Sequence, residues 1–208
     1  MDGMPTSPYD AMTSTRAVAA TATLGAAAAC WVVALQQMRG MDMGAGTELG
    51  TLGFFIAAWV PMMGAMMLPG AVPAIAARAL SAPFFAASYV AVWTLFGLAA
   101  YAVYRPHSTA VAGVLTIAAG VYELTPLKRA CRRRCQAAVR SGFAFGTYCV
   151  GSSVGLMIML VALGAMSVTW MIVVAALVLV QKLVPPRAFV DVAVAVGIVT
   201  VGIVVLAT

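Results

Sequence analysis

Charge is scarce in this chain. Of 208 residues 9% are charged, six are Asp or Glu and one is His, whereas soluble domains carry about 25% charged side chains. So few charges cannot clothe a water-facing surface, which excludes an ordinary soluble domain. The acidic residues Asp42, Glu48, Glu123 and Asp191 all fall near the ends of apolar runs, and the run interiors hold no Asp, Glu, Lys or Arg. Proton- and sodium-coupled carriers place an ionisable group at mid-membrane, so coupled transport by that route is not expected. Phosphate loops, dinucleotide fingerprints and hydrolase elbows are missing too, and the chain is not expected to be an enzyme by itself. Its four cysteines are too few and too scattered for a secreted disulfide framework, and they are expected as reduced thiols.

What the chain has is apolar length. Hydrophobic residues make up 63% of it, and a helical span needs about 20 of them in sequence at a rise of about 1.5 Å each. Seven segments meet or approach that standard: 16–36, 50–68, 82–104, 109–123, 143–163, 167–184 and 188–207. Backbone amides in lipid must bond within their own segment, so each is expected to be α-helical despite its Val and Ile. The alternation of a membrane barrel is absent. The expected fold is all-α, one polytopic bundle over residues 1–208 with no soluble domain. Residues 17–36 are long for a cleaved signal and count as the first helix. Pro61, Pro69 and Pro73 predict a kink and a break at the end of the second segment.

Orientation follows from lysine and arginine, which stay on the cytoplasmic side during insertion. With the N-terminus inside, Arg16, Arg78, Lys128, Arg129, Arg132, Arg133, Arg134, Arg140, Lys182 and Arg187 face the cytoplasm, and Arg39 and Arg105 lie outside. That partition is ten against two. The formal charge of +6 therefore points to anionic lipid headgroups and not to nucleic acid. A multi-pass protein of the plasma (inner) membrane is expected, with the lipid bilayer as its first partner.

Methionine is the second abundance. Seven of the fourteen, Met38, Met41, Met43, Met62, Met63, Met66 and Met67, crowd into a short window. The first three fall in the expected outer loop, where an unbranched apolar side chain has no core to fill. The other four form i, i+4 pairs, 62 with 66 and 63 with 67, which stack on adjoining helix faces. Thioether sulfur is a soft, neutral ligand that selects Cu(I) over hard cations and binds without losing a proton. The structural alternative is that methionine fills irregular gaps in the bundle.

Cys131 and Cys135 flank three arginines, Cys131-Arg-Arg-Arg-Cys135. On a helical turn both sulfurs point the same way, and the arginines favour thiolate. Cys149 follows Tyr148 near the same end and can join them. Two thiolates suit Cu(I) or half of a zinc site, whose four-ligand set is not completed at standard spacing. Cys30 reads as a small buried apolar residue and His107 as a surface residue. Gly142 with Gly146, and Gly151 with Gly155, allow close helix approach, either within the bundle or against a partner subunit.

The run Tyr122-Glu123-Leu124-Thr125-Pro126-Leu127-Lys128-Arg129-Ala130-Cys131, with Cys135 after it, resembles a bacterial domain-of-unknown-function family described as predicted metal-binding integral membrane proteins. The likeness extends to Trp59 through Pro69 and to Tyr148-Cys149-Val150-Gly151, covering roughly residues 38 to 184. It implies a polytopic, metal-binding protein. The chain departs from that pattern at Ser152 and Ser153, where further cysteines are usual, and at Gln181, where an acidic residue is usual before Lys182.

Two functions compete. In the first, Met38, Met41 and Met43 collect Cu(I) outside, Met62, Met63, Met66 and Met67 hold it, and Cys131, Cys135 and Cys149 receive or sense it inside, for copper acquisition, transfer or delivery. In the second, the chain is an accessory subunit or homo-oligomer that packs its Gly-rich helix against a larger membrane enzyme and binds no metal of its own.

Overall fold

The computed structural model describes residues 8–39, 49–137, 141–164, 167–185 and 188–207. Among these residues the structure is all-helical, with no strand. Eight α-helices follow in order: α1 (Pro8–Met38), α2 (Leu52–Ala76), α3 (Ala82–Val103), α4 (Thr109–Glu123), α5 (Pro126–Gln136), α6 (Gly142–Gly164), α7 (Val168–Leu183) and α8 (Ala188–Ala207). A single 3-10 turn, Ala79–Ser81, joins α2 to α3. Five of the helices are long and apolar enough to cross a membrane. The helix α4 spans only about 22 Å at 1.5 Å per residue, and it reaches span length only together with α5, from which it is bent by 63°. The helix α7 is apolar but also short.

Three helix starts are capped as their sequences dictate. The hydroxyls of Thr51, Ser108 and Thr125 accept from the backbone N–H groups of Phe54, Val111 and Lys128, at 3.4, 3.4 and 3.3 Å. In α5 the cap is followed by Pro126 at the first helical position, where the missing N–H costs nothing. Residues 124–142, expected as a linker, therefore contain a helix. The first helix also begins earlier than the expected residue 16. Its polar start is accommodated because Ser14 and Thr15 hydroxyls donate back to the Ala11 carbonyl, at 2.9 and 2.7 Å.

The expected break in the second segment does not occur. The helix α2 runs through Pro61, Pro69 and Pro73 to Ala76. Each proline removes one ladder bond, yet opening a turn in an apolar surround would strand several backbone groups at once, so the continuous helix wins.

The helices α2 and α6 form the centre. In α2 the buried set runs from Phe55 through Trp59, Met62, Met63, Met66 and Met67 to Ile75, on several faces of the helix. Around them, α1 packs on α2, α3 on both α2 and α6, and α4 on α6 and α8. Between α4 and α8 the backbones nearly touch: a methyl group added at Gly113 would lie 3.0 Å from the Gly202 carbonyl oxygen. The outer helices leave wide apolar faces, with Phe84 82%, Phe189 74% and Val18 66% exposed. Faces of this kind suit lipid and not water.

Four of the five glycines of α6 are used inside the chain. Added methyl groups would strike Phe85 and Ser88 at Gly142, Val92 at Gly146, Cys131 at Gly151 and the Ala119 carbonyl at Gly155. These glycine positions therefore form an internal seam against α3, α4 and α5.

One end of the bundle gathers the cations. Arg16 and Arg78 border one groove, and Arg78, Cys135, Gln136 and Lys182 border a second, of about 500 Å³. At the other end Tyr101 donates to the Gly50 carbonyl at 2.9 Å, and a ring nitrogen of His107 meets the Ala162 carbonyl at 3.2 Å.

Candidate metal centre

Of the three cysteines expected at the cationic end, the structure sets Cys149 beside Cys135, and Cys131 does not join them in a three-ligand group. The helix α5 carries Cys131 and Cys135 one turn apart, and α6 brings Cys149 close to Cys135. Both Cys135 and Cys149 are buried. Cys131 is half-buried, with its sulfur over Gly151, where an added methyl would come within 2.6 Å. All four cysteines of the chain are free thiols.

Two residues that sequence reasoning passed over complete this cluster. The Lys182 ammonium, from the end of α7, donates to Cys149 Sγ at 2.9 Å and to the Tyr89 hydroxyl at 3.1 Å. The Tyr89 hydroxyl, from α3, lies 3.1 Å from Cys149 Sγ and 3.4 Å from the Met67 carbonyl oxygen. The faces of Tyr89 and Phe145 lie 5.5 and 5.7 Å from the ammonium, within cation–π range. A lysine closing an apolar helix reads as a snorkelling end residue, so nothing local marked it. The inward turn depends on Gly70 of α2, where a methyl would come within 2.3 Å of Lys182 Cδ.

The methionines divide. Met62, Met63, Met66 and Met67 are each buried to within 2%. Met67 meets the thiol cluster through its carbonyl and the Tyr89 hydroxyl. Met38 is a correction: it is the last residue of α1 and is buried, not exposed in a loop, because α1 continues to residue 38 and the side chain joins the core. Met41 and Met43 lie outside the described residues. Cys30 is half-buried against Gly64 of α2, and His107 is half-buried, with its other ring nitrogen 3.1 Å from the Arg105 carbonyl oxygen.

Beside the thiols sits a buried ionic cluster. Lys128 pairs with Glu123, both wholly buried, and lies 3.7 Å from Asp191. Arg132 donates to Asp191 at 2.5 Å and to the carbonyls of Gln181 and Val184 at 2.9 Å each. The Gln181 amide donates to Glu123 at 2.7 Å. Two acids and two bases thus balance, joining α4, α5, α7 and α8. At this point the departure at Gln181 acquires a reason, since an amide can donate to Glu123 where an ionised acid would repel it. Ser152 donates to the Cys149 carbonyl at 2.8 Å, so the serines at 152 and 153 add no sulfur.

The donor set is selective. Among the described residues no group of three or more His, Cys, Asp and Glu side chains is placed to hold a metal ion, so a tetrahedral zinc site of such ligands is not built here. Two adjacent thiols fit a soft ion of low coordination number, the character of Cu(I).

These features define an all-helical bundle, with several helices long and apolar enough to span a membrane, that holds soft sulfur donors at one end. A family model described as PpoB2, copper chaperone, matches residues 56–205, well over half of the chain, and the protein belongs to that family. No curated protein and no solved structure matches significantly.

Proposed function

We propose that this protein is a multi-pass carrier of Cu(I) in the plasma membrane. It spans the bilayer seven times with its N-terminus inside, α4 and α7 making the two short crossings. Copper enters from the outer face by way of Met38 and the Met41–Met43 segment. It passes to the paired thioethers of α2 and reaches Cys149 and Cys135 at the cytoplasmic end, where the groove beside Cys135 offers a place for hand-over. One observation carries the reading: the Tyr89 hydroxyl lies 3.4 Å from the Met67 backbone carbonyl and 3.1 Å from Cys149 Sγ, so the methionine-bearing helix runs down to the end of the bundle that holds Cys149 and Cys135. The family's copper-chaperone description supports the same cargo.

The chemistry asked of the chain is ligand exchange, without covalent turnover. Stacked thioethers hold Cu(I) weakly and without proton loss, whereas thiolates hold it tightly, so affinity rises toward the cytoplasmic end. The test is anaerobic competition of purified protein against a chromogenic Cu(I) chelator. Wild type is expected to retain copper, and a variant with Met38, Met41, Met43, Met62, Met63, Met66 and Met67 all changed to leucine, or a C135S/C149S variant, is expected to lose it. Equal copper retention by all three proteins would overturn the proposal.

A further inference from the structure

We infer that Lys182 is the counter-cation that matches the Cys135–Cys149 pair to a monovalent soft ion and sets it against divalent ions such as Zn(II) and Cd(II). This inference rests on the copper reading of the thiol pair and adds a specificity-determining residue to it.

The argument starts from what surrounds the ammonium. The partners of Lys182 are Cys149 Sγ, the Tyr89 hydroxyl and two ring faces. Among the described residues no carboxylate pairs with it, because Glu123 and Asp191 are both engaged by Lys128 and Arg132. The neighbouring cluster is therefore neutral as a unit and leaves the charge of Lys182 to be met by the thiols alone.

Charge arithmetic then decides which ion fits. Two thiolates and one ammonium sum to one negative charge. A monovalent ion brings the site to neutrality, and a divalent ion leaves one net positive charge beside two buried thiolates and a half-buried ammonium, where an uncompensated charge is costly. Without the lysine the two thiolates sum to two negative charges, and the preference reverses. The lysine also fits this position mechanically. Its stem lies over Gly70, where no side chain can displace it, and the aromatic faces hold the head in place.

The experiment uses the full chain in detergent and compares wild type with K182M, K182Q and K182R. Cu(I) affinity is read by chelator competition, and Cd(II) binding by the thiolate-to-metal charge-transfer absorption. Wild type is expected to bind Cu(I) and give little Cd(II) signal. In K182M and K182Q, Cu(I) affinity is expected to fall and Cd(II) affinity to rise, each by about tenfold or more, which a unit charge at contact distance supplies at an effective dielectric of about 20. K182R is expected to keep the wild-type ratio. The glutamine variant retains hydrogen-bond donors without the charge, so it separates charge from structure, and helicity by circular dichroism checks the fold. An unchanged Cu(I)-to-Cd(II) ratio in a folded K182Q or K182M would overturn the inference while leaving the copper proposal standing. Undiminished Cu(I) binding by C135S/C149S would instead remove the copper reading of this pair, and the inference with it.

Discussion

Replacing Lys128 by methionine is expected to cost about 3–5 kcal/mol of stability, because it breaks a buried pair and leaves a charge behind. The geometry sets this magnitude. With the ammonium gone, Glu123 retains one donor, the Gln181 amide at 2.7 Å. Its other carboxylate oxygen is already buried without a partner, and the residue is wholly buried. Arg132, the other cation of the cluster, is held by Asp191 and two carbonyls and is not free to replace Lys128. Asp191→Asn is expected to cost less, about 1–3 kcal/mol, because Arg132 keeps both carbonyl partners and Lys128 keeps Glu123. The decisive comparison is the double variant E123Q/K128M. Removing both charges together leaves a neutral amide beside the Gln181 amide, so most of the loss is expected to be recovered. A double-mutant cycle should then show a coupling of about 2 kcal/mol or more. The assay is reversible denaturant unfolding in detergent micelles, followed by tryptophan fluorescence. A second readout is alkylation of Cys135, which should quicken in K128M as α5 loosens from α7 and α8. A K128M cost below about 1 kcal/mol, or a double variant as unstable as the two single losses added, would refute the reasoning that this cluster is a dry, balanced ionic unit.

Other perturbations test other parts of the structure. Changing Met62, Met63, Met66 and Met67 to leucine nearly conserves volume, so each change should cost less than about 1.5 kcal/mol while Cu(I) stoichiometry falls; a large loss of thermal stability would show that these side chains serve packing first. Gly97→Ala would place a methyl 2.2 Å from Trp59 Nε1, which donates to the Trp93 carbonyl at 3.0 Å; a loss of about 1–3 kcal/mol is expected from overpacking, seen as a lowered melting temperature. On a cysteine-free background, H107C should react with an impermeant maleimide in intact cells and R133C only after permeabilisation, and the reverse pattern would invert the proposed orientation.

Composition and local pattern were enough for some conclusions. A chain with so few charges and such long apolar runs has to satisfy its backbone within each segment, so the all-helical bundle follows from the sequence alone. Cys131 and Cys135 lie on one helical turn because Thr125 and Pro126 start a helix in front of them, and the methionine pairs of α2 follow from i, i+4 spacing within a continuous helix. All of these depend on neighbours in the chain.

Tertiary structure decided what depends on distant partners. Glu123 and Asp191 sit at the ends of separate helices, and only the packing of α4, α5, α7 and α8 makes them the counter-ions of Lys128 and Arg132. Whether the glycines of α6 face a partner or the chain itself was open in the sequence, and the positions of Phe85, Val92, Cys131 and Ala119 settle it. Lys182 carries the same lesson at the thiols. A long flexible side chain can reach water or turn inward with equal ease, and here the bare backbone of Gly70 and the rings of Tyr89 and Phe145 turn it onto Cys149.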